Sequence, residues 1–97
     1  MKLLAYDVRM HNSPAKTEIY TIQEMSELTK EISKYQLGLG NKDHLTEELA
    51  HVILMAYALM YLYGINESDL QTEAEKAVCK MHKQSPLRPV YKKEETK

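Results

Sequence analysis

With 97 residues the chain has room for one domain and a modest core, not for two. Its formal net charge of −1 argues against a polyelectrolyte binder of nucleic acid, and the lone Cys79 excludes an intrachain disulfide and fits a reducing compartment. Eleven Glu and 6 Met against only 3 Gly and 3 Pro, with every aromatic a Tyr, describe an all-α protein.

Residues 1–12 read as a short helix or an extended arm, closed by His11-Asn12-Ser13-Pro14. The apolar run there is too short for a signal peptide. The first main helix starts at Ser13-Pro14, with Pro at the first helical position, or at the capping box Thr21-x-x-Glu24. It runs to about Leu37 and ends at Gly38 and Gly40. Ile22, Met25, Leu28, Ile32 and Tyr35 recur every three or four residues and predict its apolar, inward face.

The second helix follows Asn41-Lys42-Asp43, with Asp43 as the expected N-cap, and stops at Gly64. Residues 49–63 are apolar on every side except at His51. Such a helix belongs at the centre of a bundle or in an oligomer interface. The run is 15 residues, short of the roughly 20 needed to span a bilayer. A cytoplasmic protein is expected. The third helix starts near Asn66 or Ser68 and reaches about Lys83, with Leu70, Ala74, Ala77, Val78 and Met81 on its inner face. Residues 86–97, with Pro86, Pro89 and KKEETK, predict a tail. The expected architecture is a bundle of three main helices, completed by a homodimer or homotetramer into four-helix-like cores.

The chemistry sits in one pattern. Glu24 and Glu27 form Glu-x-x-Glu, 20 residues follow, and Glu48 and His51 form Glu-x-x-His at the head of the apolar run. Residues three apart share a helix face. Two packed helices therefore aim several carboxylates at one spot, an arrangement that a divalent cation resolves. Glu24, Glu27 and Glu31 lie within about 60° of one another, bordering the apolar face. On the second helix His44, Glu48 and His51 share a stripe that Met55 continues. Plainer readings stand beside this one. Eleven Glu in 97 residues give roughly one Glu-x-x-Glu by chance. Glu48 also suits a helix N-terminus, and a lone His in an apolar run is more often structural than ligating.

The run QEMSELTKEISKY, a Gly-containing spacer, then LTEELAHVILMAYALMYLYGI resembles the MazG-like nucleotide pyrophosphohydrolases of the all-α NTP pyrophosphatase group. The likeness covers roughly residues 21–83. It implies Mg²⁺ held by Glu24, Glu27 and Glu48, and a water that attacks a nucleoside triphosphate to release pyrophosphate and a monophosphate. The compactness of the chain suits a phage or prophage version. Glu31 at the rim would orient the water as a base. Lys76 and Lys80 would meet phosphate oxygens, against the plainer reading of a solvated basic face. Tyr57 or Tyr61 would stack on a base, against plain core packing.

The departure is His51, which stands where the family has Asp. Imidazole is a poor Mg²⁺ ligand and suits manganese, iron, zinc or nickel. Three outcomes stay open: an all-glutamate Mg²⁺ site with His51 behind it, a changed metal such as Mn²⁺, or a decayed site in an interaction module. Glu-x-x-His paired with Glu on a neighbouring helix is also how helical di-iron bundles bind metal, which here requires a dimer.

Overall fold

The computed structural model describes residues 1–84. Among these the chain forms four helices and no strand: α1 (Lys2–His11), α2 (Pro14–Gln36), α3 (Lys42–Tyr63) and α4 (Glu67–Gln84). The all-α expectation holds, with one more helix than the three main ones expected, because residues 2–11 are helical rather than an extended arm. The expected tail at 86–97 lies outside the described residues.

The helix ends follow from local chemistry. Ser13 caps α2, its hydroxyl accepting from the Lys16 amide at 3.2 Å, and Pro14 opens the helix where its missing N–H has no partner to lose. The alternative start at Thr21 is mid-helix. After Gln36 the Lys34 carbonyl accepts from the amides of Leu37, Leu39 and Gly40 at 3.1, 2.9 and 3.2 Å. That wrap places Gly38 at φ +74°, a region that L side chains rarely adopt. The cap of α3 corrects the expectation: Asn41, not Asp43, accepts from the His44 amide at 2.8 Å. Asp43 instead sits in the first turn, where its charge complements the helix dipole.

The chain divides into two units, Met1–Gly64 and Ile65–Lys97. In the first, α3 packs against both α2 and α1. The seam is lined by small side chains: Ala5, Thr17 and Ala58 are fully buried, with Thr21 and Met55 nearly so. Thr17 and Thr21 donate their hydroxyls to the Ser13 and Thr17 carbonyls at 3.0 and 2.7 Å. Each then shows only carbon to its neighbour, so two helices approach closely without stranding a polar group. Tyr6 of α1 stacks edge-on against Tyr61 of α3 at 5.4 Å, which gives Tyr61 a packing partner in place of a base. Tyr63 at the end of α3 donates to Glu18 near the start of α2.

This seam overturns the expected inward face of α2. The covered row is Thr17, Thr21, Glu24, Leu28 and Glu31, a single stripe at spacings of three and four. Ile22 lies one residue on from Thr21, about 100° around the helix, and is 65 % exposed. Met25, Ile32 and Tyr35 are exposed as well. Glu24 and Glu31 of the acidic border are thus part of the inner face together with Leu28, the one member of the expected apolar face that is covered, while Glu27 lies outside. α3 is likewise only half covered: Leu49, Ile53 and Tyr61 reach solvent. Counted from Lys42, α3 also has the length and composition of a helix able to cross a membrane. It nevertheless packs along α2 and carries Glu48 and His51 in its length.

In the second unit Asn66 caps α4, accepting from the Asp69 amide at 2.8 Å, with Glu67 and Asp69 in the first turn and His82 and Lys83 in the last. No residue of α4 is buried, and Leu70 and Met81 of its expected inner face are exposed.

Candidate metal centre

The seam between α2 and α3 carries Glu24, Glu48 and His51 to one place. One ligand atom from each lies within 4.8 Å of the other two. His51 Nδ1 is 3.1 Å from Glu24 Oε2 and 3.8 Å from Glu48 Oε2. The five-residue connection 37–41 makes this meeting, because it returns α3 against the face of α2 that bears Glu24. Glu48 stands two turns inside α3, past the reach of the helix N-terminus, so the capping role does not account for it.

Electrostatics mark Glu48 as the strained member. Its side chain is 19 % exposed, and its Oε2 atom is buried with no hydrogen-bond partner. Burial is the main cause that holds its carboxyl above the ordinary range. The Glu24 carboxylate follows, through a hydrogen bond to the protonated form and through repulsion; His51 opposes the shift and Glu27 adds to it. A buried acceptor without a donor is costly, and a cation is one thing that satisfies it.

The other expected residues fall differently. Glu27 is exposed and pairs with Lys30 at 3.3 Å, so it acts on the group through its field rather than by contact. Glu31 shares the inner row, its side chain 12 % exposed, with Lys34 Nζ at 3.4 Å. His44 is exposed and lies outside the group. Tyr57 is half-buried on α3. Lys76 and Lys80 belong to the second unit. There Lys76 pairs with Glu73 at 3.0 Å, and both lysines line an open recess of about 320 Å³ with Thr72, Glu75, Cys79 and Lys83.

The spacing pattern named every member of the Glu24–Glu48–His51 group. It overlooked the capture of Glu27, although a lysine three residues on is a readable signal. It also overlooked the seam of threonine and alanine that lets the two helices approach.

The donor set fits a divalent cation. Two carboxylates and an imidazole nitrogen are first-row ligands, and both distances from Nδ1 are under the roughly 4.2 Å that two ligands on one ion with bonds of about 2.1 Å can span. The Glu48 oxygen without a hydrogen-bond partner is compatible with an ion at this position. Comparison with family models, with curated proteins and with solved structures returns no match to this chain.

Proposed function

We propose that the chain is a metal-dependent nucleoside triphosphate pyrophosphohydrolase of the MazG-like kind. The observation that carries the reading is the convergence of Glu24, Glu48 and His51 from two helices, with a buried Glu48 oxygen left without a donor. Glu24 and Glu48 would hold the ion, Mg²⁺ in the resemblance, with Glu27 lending negative potential from outside. When bound, the ion neutralises charge on the phosphates and lowers the pKa of a coordinated water.

The chain's own residues account for the rest. Glu31 lies on the inner row two turns beyond Glu24 and, in the resemblance, would orient the attacking water as its base. Water attack at the α-phosphorus forms one P–O bond and breaks the bond to the β-phosphate oxygen. Pyrophosphate leaves, and the monophosphate keeps the new oxygen. Lys76 and Lys80 remain candidates for phosphate contact, but the reading does not depend on them.

The exposed apolar face of α2 supports a homodimer or homotetramer. Ile22, Met25 and Ile32 form a stripe that water covers poorly, beside the half-covered α3. We read the chain as cytoplasmic, with α3 set along α2 and carrying Glu48 and His51 in its length.

A second reading is a metal-binding or decayed interaction module, favoured by His51 in the place of the family Asp and by the same exposed stripe. Pyrophosphate release from a panel of NTPs and dNTPs separates the two. Turnover that requires a divalent ion and Glu48 supports the enzyme; inactivity in a folded, metal-loaded protein supports the module.

A further inference from the structure

We infer that the Glu24–Glu48–His51 centre takes a divalent first-row transition ion in preference to Mg²⁺, with His51 Nδ1 as the discriminating ligand. The inference rests on the proposal that this group is a metal site and specifies its cofactor.

It is Nδ1 that lies 3.1 Å from Glu24 Oε2 and 3.8 Å from Glu48 Oε2. Nδ1, rather than Nε2, therefore faces the position that both carboxylates share, and an ion there would take the place of a proton on it. A histidine behind a Mg²⁺ site would instead touch the back of one carboxylate and leave the shared position to oxygen. Mg²⁺ strongly favours oxygen and keeps its waters, whereas imidazole suits iron, zinc and nickel, and Mn²⁺ accepts it beside oxygen ligands. An ion at this position meets two hard oxygens and one borderline nitrogen, a mixed set that Mn²⁺ or Fe²⁺ satisfies and Mg²⁺ does not.

A second observation is independent of the donor distances. Glu48 Oε2 is buried and makes no hydrogen bond. His51 Nδ1 is engaged with Glu24 at 3.1 Å and, at 3.8 Å, does not hydrogen-bond the Glu48 oxygen. A single ion bonded to Nδ1 and to both carboxylates satisfies that oxygen.

The test uses the full chain with Mn²⁺ alone as the probe. Mn²⁺ binding is followed by electron paramagnetic resonance with pulsed detection of ¹⁴N coupling, and Mg²⁺ is titrated in as competitor. Wild type, His51→Asp, His51→Gln and Glu48→Gln are compared, each checked for helical content by circular dichroism. The expected result is a ¹⁴N signal in wild type that is absent from both His51 variants, and no bound Mn²⁺ in Glu48→Gln. The preference for Mn²⁺ over Mg²⁺ should fall in His51→Asp by on the order of tenfold or more, the scale on which groups around a metal shift its affinity. Mn²⁺ bound at a Glu48-dependent site without ¹⁴N coupling, or an unchanged preference in His51→Asp, overturns the inference. So does absence of Mn²⁺ binding to folded wild type. Pyrophosphate release on the same samples keeps the two proposals apart: a nitrogen-coupled ion in an inactive protein leaves this inference standing and removes the enzymatic reading.

Discussion

Gly38→Ala isolates the turn that brings α3 back onto α2. Gly38 sits at φ +74°, and a Cβ built there meets nothing within 4 Å. The change therefore adds no clash; it only asks an L residue to hold a left-handed backbone. That conformation costs roughly 1–2 kcal/mol for a residue with a Cβ. Part is offset, because alanine restricts the unfolded chain by about 0.4–1 kcal/mol relative to glycine. The net loss should be about 1 kcal/mol, which lowers Tm by about 4–8 °C in a domain of this size. Thermal unfolding followed by far-ultraviolet circular dichroism measures it. Gly38→Asn is the control, since asparagine tolerates the left-handed region and should lose less. An alanine variant as stable as wild type, or an asparagine variant that loses more than alanine, would refute the claim that backbone strain alone sets the cost. Gly40→Ala should act by a different route. Its Cβ would stand 3.1 Å from the Tyr35 amide nitrogen and 3.3 Å from Lys34 Cβ, so the turn itself must shift.

Further outcomes follow from the seam and the site. Ala58→Leu forces a branched side chain into a fully buried position and should destabilise by about 1–3 kcal/mol in denaturant titration, while Leu49→Ala, at an exposed position, should change little. Glu48 in the metal-free protein holds its proton more tightly when folded than when unfolded, so its contribution is present below its unfolded value of about 4.5 and is lost as pH rises through the folded value. Glu48→Gln should remove that slope; parallel stability–pH curves for the two proteins above pH 4.5 would contradict the burial and repulsion assigned to this carboxyl. Ile22→Glu combined with Met25→Glu places two charges on the exposed stripe of α2 and should shift a self-associating wild type toward monomer in sedimentation. A wild type already monomeric at micromolar concentration would instead remove the oligomer proposal.

Much of the fold was legible because caps and glycines speak locally. Ser13-Pro14, Gly38 and Gly64 mark helix ends through chemistry confined to a few residues, and periodic apolar residues over 22–35 required a helix there. Which face of α2 turns inward was not legible, because it depends on the partner. Ile22 and Met25 carry more apolar surface than Thr17 and Thr21, and a count of hydrophobicity chooses them. The structure chooses the threonines, whose hydroxyls are absorbed by their own helix and whose small size lets α3 close in. The choice of Asn41 over Asp43 as cap turned on two residues of register, the scale at which helix boundaries are least determined by pattern. The site was legible for the opposite reason: Glu24, Glu48 and His51 stand at helical spacing on adjacent helices joined by a short turn, and that alone brings them together. Glu27 departs from its pair because it stands off the covered row of α2, exposed beside Lys30.

The most direct test of the central claim is pyrophosphate release from NTPs and dNTPs by wild type and Glu48→Gln, with Mg²⁺, with Mn²⁺ and without metal. The account predicts turnover by wild type that requires a divalent ion, is stronger with Mn²⁺ than with Mg²⁺, and vanishes in folded Glu48→Gln. No turnover by wild type with either ion, or turnover that survives in Glu48→Gln, would contradict it.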